Sequence, residues 1–446
     1  MKLKIEKLIF EGFGLGREVT DSSFDSTQDC AQRSKPVFVR KAVPNDEVDV
    51  KIIKDKKSFS EAIIQKVIKP SPFRIKPACP YFDLCGGCEH MNIAYQNQLK
   101  FKEEIFKETL KRQGVETKIK PILAGSDSEF FYRNSIRFFF VKKDENISFA
   151  RHNYIYNEGY VEVEKCYLQS ETANQILEKL KKYINENIDD KSLFWQLKIR
   201  EGKFTGEFMV ELITSGEHLP SEKGIVEVLK EIASIKSIYH TIAPNKSLNN
   251  LRRRLIFGSP IIFEKIGKYK FQISPESFFQ TNSMGVHTLY ETIKEFANVQ
   301  SGENILDLYC GTGTIGIYLS TLARKVTGVE IVPGAIRDAK DNAKINHIHN
   351  CDFICGDAEK YLQSLKTNNY QPTTIIVDPP RAGLSKELIH ELSTINSRQI
   401  IYTSCNPATF ARDIKLFEEF GKKLVKVQPI DMFPQTHHIE CVGVIY

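Results

Sequence analysis

Short apolar runs alternate with polar, helix-like segments over the last third of the chain. Runs of strand length occur at residues 304–308, 325–329, 351–355, 373–377 and 399–402. Buried strands that alternate with helices indicate a parallel sheet with helices on its faces. The C-terminal part of the chain is therefore predicted to be an α/β domain of the Rossmann-like kind.

The first 70 residues follow a different pattern, which predicts a small β-barrel. Strands are predicted at residues 2–9, 37–39, 47–53 and 60–68, with turns at 12–16 and 43–46. The polar stretch at residues 20–34 is interpreted as a surface loop. Barrels of this size often bind single-stranded nucleic acid, and a barrel that only packs on its neighbour is the alternative.

The middle of the chain mixes both patterns and predicts an α+β domain. Residues 94–114 have the apolar face of a helix, and further helices are predicted near 171–184 and 225–232. Residues 130–140 interleave aromatic residues with arginines. This pattern is typical either of base stacking with phosphate contacts or of a half-buried strand.

One basic cluster stands out in this middle region. Arg252, Arg253 and Arg254 are consecutive. A run of this kind is most often a solvated edge, and a phosphate contact is the alternative interpretation.

Composition and charge narrow the class of protein. The chain has 446 residues, of which 41% are hydrophobic and 26% charged, as in ordinary soluble proteins of several domains. No apolar run reaches the length of a membrane span, and the first residues lack a signal-peptide core, so a cytoplasmic protein is expected. The net charge of +6 is compatible with a polyanionic partner.

Three of the ten cysteines are crowded into one short stretch. Cys79, Cys85 and Cys88 have the spacing C-x5-C-x2-C. In a cytosolic chain such thiols indicate a metal site, and both zinc and an iron–sulfur cluster accept four thiolates. Cys166 is the natural fourth ligand, and Cys30 is the other upstream candidate.

A glycine-rich turn follows the first strand of the predicted α/β domain. Gly311, Gly313 and Gly316 form G-x-G-x-x-G, and Glu330 follows Gly311 by 19 residues. Dinucleotide-binding domains have the same spacing, so this pattern alone does not identify the cofactor. Asp307 precedes the turn, where a carboxylate would repel a pyrophosphate but hold an ammonium group. S-adenosylmethionine is therefore favoured.

Acidic residues also follow the next strands. Asp357 and Asp378 come after the runs at residues 351–355 and 373–377. Since the carboxyl ends of parallel strands share one edge of a sheet, Asp307, Glu330, Asp357 and Asp378 are expected to form one site.

Cys405 ends the apolar run at residues 399–402 and is followed by Asn406 and Pro407, which break the strand. A thiol at the carboxyl end of a buried strand is placed where α/β sheets present reacting groups. A buried cysteine that only fills space is the common alternative.

These motifs, in this order and over essentially the full length of the chain, resemble those of the RNA uracil-C5 methyltransferases. The stretches that carry the resemblance are residues 79–88, 277–282, 307–313, 378–384, 404–407 and 437–440.

The resemblance implies a role for each candidate residue. It makes Cys405 the nucleophile that adds to uracil C6, and Glu440 the base that removes the C5 proton. A structural ion pair with Arg381 is the alternative role for Glu440. The methyl-donor site is expected to comprise Gln280, Asp307, Tyr309, Gly311, Thr314, Glu330, Asp357 and Asp378. The resemblance also favours a 4Fe–4S cluster over zinc, with Cys79, Cys85, Cys88 and Cys166 as its ligands.

The expected architecture has three parts. Residues 1–70 form an OB-like barrel similar to the RNA-binding TRAM domain. Residues 71–92 and 126–272 form the central domain with the cluster, and residues 93–125 and 273–446 form the methyltransferase domain. A target base must leave its stack to reach such a site, so a single-stranded or looped uridine is expected.

The substrate expected from the resemblance is 23S ribosomal RNA, because the barrel and the cluster accompany ribosomal RNA methylation in related enzymes. A transfer RNA uracil-C5 methyltransferase, an RNA cytosine-C5 methyltransferase and a non-catalytic RNA-binding or RNA-folding protein are the alternatives. A monomer without an obligate protein partner or a membrane association is expected.

Overall fold

A computed structural model describes residues 1–18, 35–153, 159–365 and 371–446. The predicted loop at residues 20–34 and Cys30 lie outside the described residues. The chain divides into two compact units. The first comprises Met1–Ile105, Arg151–Val163 and Phe433–His438, and the second Phe106–Ala150, Glu164–Met432 and Ile439–Tyr446. Among the described helices, none combines the length and the apolar character needed to cross a membrane. The three predicted domain boundaries stay a prediction.

The first unit contains a closed barrel with the strand order β1-β2-β3-β5-β4. Its strands are β1 (Lys2–Leu8), β2 (Gly14–Glu18), β3 (Val37–Arg40), β4 (Glu47–Asp55) and β5 (Ser60–Lys69). Alternate residues such as Leu3, Ile5 and Val39 point inward and are fully buried. The small N-terminal barrel expected from the sequence is therefore present.

One predicted turn was wrong, because residues 14–16 belong to strand β2. A Cβ added to Gly14 would lie 2.8 Å from the Cβ of Ala42 and 2.9 Å from Ile5. Close packing inside the barrel therefore requires glycine at these positions. In the sequence, glycines required for packing cannot be distinguished from glycines in a turn.

The cysteine-rich stretch of the first unit is attached to the barrel by Lys41. This buried side chain donates hydrogen bonds to the carbonyl oxygens of Phe82 and Cys85. The backbone of Lys41 is held in turn, since its carbonyl oxygen accepts from Asn92 at 2.8 Å. These bonds from side chains to the backbone connect the barrel to the chain around Cys85.

The second unit contains a mixed sheet in which β9, β8, β11, β12, β13 and β14 are adjacent in that order. Helix α3 packs on β13, and α2 packs on α3. The strands and helices of this part of the chain are α1 (Tyr95–Arg112), β6 (Lys118–Ile119), β7 (Leu123–Ala124), β8 (Ser135–Lys143), β9 (Asn146–His152), β10 (Tyr160–Glu162), α2 (Glu171–Asn187), β11 (Phe194–Gly202), β12 (Glu207–Thr214), α3 (Glu222–Lys230), β13 (Ile235–Ile242) and β14 (Arg252–Gly258).

The aromatic and arginine-rich stretch at residues 130–140 is a strand only from Ser135 onward. Phe131 has a φ of 56°, which interrupts extended structure. The backbone amides of Phe131 and Arg133 donate instead to Tyr167 and Leu168. The preceding residues therefore form an irregular segment rather than a longer strand.

The second unit also contains an α/β sheet with the order β19-β18-β17-β20-β21-β23-β22-β6, and β7 pairs with β22. Strands β17 to β21 are parallel to one another, and β23 is antiparallel to both of its neighbours. The remaining elements are β15 (Ile262–Ile266), β16 (Tyr269–Ile273), α4 (Ser283–Ala297), β17 (Asn304–Leu308), α5 (Thr314–Leu319), β18 (Lys325–Glu330), α6 (Pro333–Ile345), β19 (Cys351–Cys355), α7 (Ala358–Leu365), β20 (Thr374–Val377), α8 (Lys386–Thr394), β21 (Gln399–Ser404), α9 (Pro407–Glu419), β22 (Leu424–Asp431) and β23 (Glu440–Ile445).

Candidate active site

Four carboxylates lie at the carboxyl ends of four neighbouring parallel strands. Asp307 is the next-to-last residue of β17, and Glu330 is the last residue of β18. Asp357 and Asp378 follow β19 and β20. Because these strands are adjacent and parallel, the four residues lie along one edge of the sheet, as the sequence predicted.

The glycine-rich turn approaches this edge through backbone geometry that glycine permits. Gly311 and Gly313 have φ values of 52° and 77°. A Cβ added to Gly313 would lie 2.7 Å from the ring of Phe353. The amide of Gly311 donates to Glu330 Oε2 at 3.3 Å, so the turn and the acid at the end of β18 are directly connected.

Asp307 is fully buried beside this turn. Its Oδ2 atom accepts a hydrogen bond from the amide of Gly316 at 3.0 Å. Its Oδ1 atom has no hydrogen-bond partner among the described residues. Burial, with the charges of Asp378 and Glu330, raises the pKa of Asp307 to about 8. A buried carboxylate with an unsatisfied oxygen is suited to a cationic, hydrogen-bond-donating ligand group.

Other predicted residues are held by specific contacts. The Thr314 hydroxyl lies 2.6 Å from the Tyr290 hydroxyl. Asp357 Oδ1 accepts from the amide of Lys360 at 3.0 Å at the start of α7. Burial, with the charges of Asp357 and Glu330, raises the pKa of Tyr309. Hydrogen bonds therefore fix the side chains of Thr314, the first residue of α5, and of Asp357, which precedes α7.

Gln280 is positioned through its backbone. Asn134 Nδ2 donates to the Gln280 carbonyl oxygen at 2.8 Å and to Ser283 Oγ at 2.7 Å. The Asn282 side chain caps α4 by accepting from the Gly285 amide. These bonds fix the segment that leads from β16 to α4.

Cys405 occupies the junction between β21 and α9. The Asn406 side chain caps this helix by accepting from the Ala408 amide at 3.0 Å, and Pro407 is its first residue. On the neighbouring antiparallel strand, Cys441 is the register partner of Ser404. The pairing thus brings Cys405 next to Glu440, which lies 35 residues away in sequence.

The ionisation of this pair is governed by burial and by neighbouring charges. Burial, followed by the charge of Glu440, raises the pKa of the Cys405 thiol to about 11. Burial, followed by the charge of Asp378, raises the pKa of Glu440 to about 8. The Arg381 guanidinium opposes both shifts. Burial raises the pKa of Asp378 itself to about 7. The site therefore keeps its thiol and much of its carboxyl content protonated at neutral pH.

Asp413 is a structural residue of the site that the sequence analysis missed. It is fully buried on α9, and its Oδ2 atom accepts from the Tyr402 hydroxyl at 2.6 Å and from the Leu384 amide at 2.9 Å. It thereby connects β21, α9 and the loop after Asp378. An acid between the apolar helix positions Phe410 and Ile414 was the signal available in the sequence.

The four cysteines of the predicted cluster fall into both units, with Cys79, Cys85 and Cys88 in the first and Cys166 in the second. Over the described ranges, no group of three or more histidine, cysteine or acidic side chains is arranged to hold a metal ion. The donor chemistry of three thiols within ten residues fits an iron–sulfur cluster, and the cluster stays a prediction.

Comparison with known protein families gives a match to most of the chain. A family profile described as tRNA (Uracil-5-)-methyltransferase matches residues 94–446. An uncharacterized RNA methyltransferase of Clostridium acetobutylicum is 37% identical over 426 residues, which cover 92% of each chain. Another from Fusobacterium nucleatum is 36% identical and covers 100% of this chain and 95% of its own.

A solved structure with the same fold extends this likeness. It is the Pyrococcus abyssi tRNA (uracil-54, C5)-methyltransferase in complex with S-adenosyl-L-homocysteine. Its sequence is 30% identical, and the two structures superpose with a TM-score of 0.76 over 100% of this chain and 99% of the other.

Proposed function

The chain belongs to the tRNA (uracil-5-)-methyltransferase family and is an S-adenosylmethionine-dependent RNA uracil-C5 methyltransferase, and we propose that it acts by covalent addition of Cys405 to the target uracil. The observation that carries this mechanism is the adjacency of Cys405 and Glu440 at the edge of the sheet. Covalent catalysis needs a nucleophile for C6 and a base for C5, and these two side chains supply both.

The proposed reaction begins with the Cys405 sulfur. As a thiolate it forms a bond to C6, and the electron pair of the C5–C6 double bond moves towards the C4 carbonyl, which makes C5 nucleophilic. The methyl donor would supply an electrophilic methyl group on a sulfonium, and C5 would form a bond to that carbon as the bond from the carbon to the sulfonium sulfur breaks and leaves a neutral thioether. Glu440 then removes the C5 proton, the C5–C6 double bond forms again, and the C6–S bond breaks.

The reactivity of this site depends on the ionisation of Cys405 and Glu440. Cys405 must lose its proton before it can add, and its raised pKa opposes this in the unliganded protein. Arg381 favours the thiolate, and the same guanidinium favours the ionised form of Glu440. Asp378 is proposed to bond the uracil edge or to orient the donor.

The methyl donor is proposed to bind at the carboxyl edge of β17, β18 and β19. Asp307 would hold its ammonium group, Glu330 its ribose hydroxyls and Asp357 its adenine amino group. The unsatisfied Oδ1 atom of Asp307 and the close approach allowed by Gly311 support this assignment. The complete proposed set is Gln280, Asp307, Tyr309, Gly311, Thr314, Glu330, Asp357 and Asp378. The S-adenosyl-L-homocysteine complex of the P. abyssi enzyme supports the same class of ligand.

The cysteines are proposed to hold a 4Fe–4S cluster through Cys79, Cys85, Cys88 and Cys166. Such a cluster would order the chain around the RNA-binding region rather than take part in methyl transfer. The anchoring of Cys85 to the barrel through Lys41 is consistent with a structural role. The barrel itself is proposed to be a TRAM-like RNA-binding domain.

The substrate pool has two candidates. Ribosomal RNA, and 23S rRNA in particular, is proposed from the combination of barrel and cysteine motif. Transfer RNA is the second candidate, because the P. abyssi enzyme acts on tRNA uracil-54 and covers the whole of this chain. A barrel therefore does not by itself exclude transfer RNA.

Mapping of 5-methyluridine by mass spectrometry tests the proposal. Ribosomal and transfer RNA would be compared from cells with and without the protein, and from cells complemented with wild type, Cys405→Ala or Cys355→Ser. We expect one uridine to lose its methyl group, with restoration by wild type and by the matched control at exposed Cys355. Restoration by Cys405→Ala would overturn the mechanism, and no loss in either pool would overturn the activity in cells.

A further inference from the structure

We infer that one face of the central sheet binds the phosphodiester backbone of the substrate RNA, through Arg137, Lys198, Arg200 and Arg253. This inference rests on the function proposed above, since it supposes an RNA substrate. Guanidinium and ammonium groups gathered on one surface are the chemistry that holds phosphate oxygens. The individual contacts of this surface, called here the basic face, support the assignment.

Strand register places these four side chains on the same side of the sheet. Lys198 on β11 is directly opposite Arg137 on β8 and Glu211 on β12. Arg200 lies two residues after Lys198 and therefore points to the same side. Arg253 is opposite Thr241, whose hydroxyl donates to Glu211 at 2.6 Å.

The opposite side of the sheet is the one that helix α3 covers. His240 is adjacent to Thr241 and points to this other side, where Arg254 bonds Glu222 of α3. The Nη1–Oε1 distance of that pair is 2.9 Å. The basic face is therefore the side of the sheet away from α3.

Two carboxylates pair with cations of the basic face. The buried carboxylate of Glu211 lies 3.0 Å from Arg253 and 3.5 Å from Lys198. The carboxylate of Glu276 lies 2.7 Å from Arg253 and is exposed, with 65% of its side chain accessible. The grouping of Arg137, Lys198, Arg200 and Arg253 around the one buried carboxylate of Glu211 favours an anionic ligand.

A third acid, Asp338, lies farther from these cations. Its carboxylate accepts hydrogen bonds from Gln272 at 3.1 Å and from Ser274 at 3.2 Å. It moderates the charge near Arg200 without forming an ion pair with it.

The basic face also contains a hydrogen-bond donor that is available to a ligand. Arg200 Nε is buried and has no hydrogen-bond partner among the described residues. Burial and neighbouring cations lower the pKa of Arg200 to about 10, and burial with the charge of Arg200 lowers the pKa of Lys198 to about 8. Burial is the larger cause of both shifts and the neighbouring cations add to it, so a bound phosphate would favour the charged form of both side chains.

The basic face adjoins the segment that carries a proposed donor-binding residue. Lys198 Nζ donates to the Pro275 carbonyl oxygen at 2.8 Å, and Arg200 Nη2 donates to the Ser277 carbonyl oxygen at 2.7 Å. Gln280 follows three residues later. RNA bound on this face would therefore pass next to the chain segment that enters the active site.

The arginine run on β14 supplies a matched internal control. Arg253 points to the basic face and is half-buried, whereas Arg252 and Arg254 are exposed and bond Glu217 and Glu222. The three neighbours have equal charge and differ in the side of the strand on which they lie. Of these three arginines, only Arg253 is expected to contact RNA.

The test measures binding of a fluorescent oligouridylate of about 16 nucleotides, without methyl donor, at potassium chloride concentrations from about 50 to 200 mM. We expect Arg253→Gln and Arg137→Gln each to raise Kd roughly tenfold at the lowest salt. Each should also reduce the slope of log K against log[salt] by about 0.7, the value for one phosphate contact on a single strand. Arg252→Gln and Arg254→Gln should match wild type.

A second variant guards against loss of folding. Glu276→Gln removes an exposed competing carboxylate and is expected to lower Kd several-fold while leaving the fold intact. Wild-type affinity and slope in both Arg253→Gln and Arg137→Gln would overturn the inference, as would wild-type protein that binds no RNA at low salt. Unchanged affinity in Glu276→Gln would also count against it.

The same binding assay separates this inference from the proposed reaction. Cys355→Ser should bind oligouridylate like wild type, because exposed Cys355 belongs neither to the basic face nor to the proposed set of catalytic and donor-binding residues. If RNA carries no 5-methyluridine but Arg253→Gln still weakens binding, the reaction fails and the phosphate site stands. If the wild-type protein methylates RNA but the arginine variants bind RNA normally, the proposed reaction stands and the phosphate site is excluded.

Discussion

Cys405 and Glu440 lie side by side at the ends of antiparallel strands, and the ionised carboxylate raises the pKa of the thiol. In the unliganded protein Cys405 has a pKa of about 11 and Glu440 a pKa of about 8. Both groups are therefore largely protonated near neutral pH, and the nucleophile is held in its unreactive form. A further positive charge beside the pair would lower both pKa values, as Arg381 already does, and shift both groups towards their reactive forms.

This coupling predicts the effect of Glu440→Gln on thiol reactivity. Removing the carboxylate charge should lower the pKa of Cys405 and speed its alkylation by iodoacetamide at mildly alkaline pH several-fold, since only the thiolate reacts. Arg381→Gln should slow the same reaction. The rate would be followed by mass spectrometry of the peptide that contains Cys405, because Cys355 is also exposed.

Glu387→Gln, an exposed acid on α8, is the matched control and should leave the alkylation rate unchanged. Methyl transfer should fall in Glu440→Gln despite the faster thiol, because the C5 proton loses its acceptor. Equal alkylation rates in wild type and Glu440→Gln would show that the two groups are not electrostatically coupled.

The buried acids predict an unusual pH dependence of stability. Asp307, Asp378 and Glu440 have pKa values of about 8, 7 and 8 in the folded protein, whereas unfolded carboxyls titrate near about 4. The folded state therefore binds more protons, and its stability falls as pH rises from about 4 through about 8. Each unit by which a pKa is raised corresponds to about 1.4 kcal/mol, so the folded protein should lose several kcal/mol of stability over this pH range.

Urea unfolding at several pH values would measure this dependence, and Asp378→Asn should flatten it. Asp352→Asn, at an exposed site paired with Lys325, is the control and should leave the slope as in wild type. Parallel stability curves for wild type and Asp378→Asn would contradict the assignment of a protonated, buried Asp378.

Asp307 is predicted to determine affinity for the methyl donor. A bound ammonium group would favour the ionised form of Asp307, so Asp307→Asn removes a charge-assisted hydrogen bond of about 1.5 to 3 kcal/mol from the donor complex. The Kd of S-adenosylhomocysteine should rise roughly 10- to 100-fold by isothermal titration calorimetry. Asp352→Asn should bind normally, and normal binding by Asp307→Asn would exclude this carboxylate from the donor site.

The proposed cluster makes a prediction that does not depend on methyl transfer. Protein purified without oxygen should contain about four iron and four sulfide per chain if a single 4Fe–4S cluster is bound. Cys85→Ser should reduce both contents and the visible absorbance, whereas Cys355→Ser should not. Zinc in place of iron, with no sulfide, would replace the cluster by the other metal site that four thiolates accept.

The sequence predicted best those features that depend on neighbouring residues. The runs that became β17 to β21 were found because a buried parallel strand is apolar and short. The acids and the glycine turn were placed correctly because they adjoin those strands. The barrel strand β2 was missed, since Gly14 and Gly16 look like turn residues although they are required by close packing.

Features that depend on pairing between distant segments could not be predicted from residue patterns alone. The contact of Cys405 with Glu440 depends on the antiparallel register of β21 and β23. The different burial of Arg252 and Arg253 depends on the side of β14 to which each side chain points. Asp413 likewise acquires its role only when α9 packs against Tyr402.

The position of β23 between β21 and β22 has a consequence for the assembly of the site. β21 and β22 both precede β23 in the chain, so β23 has to enter the sheet between two strands that come before it. β21 and β22 therefore have to stay apart until β23 pairs with both of them, and the nucleophile and the base come together in that same step. A chain in which β23 has not yet paired carries both chemical groups but does not hold them next to each other.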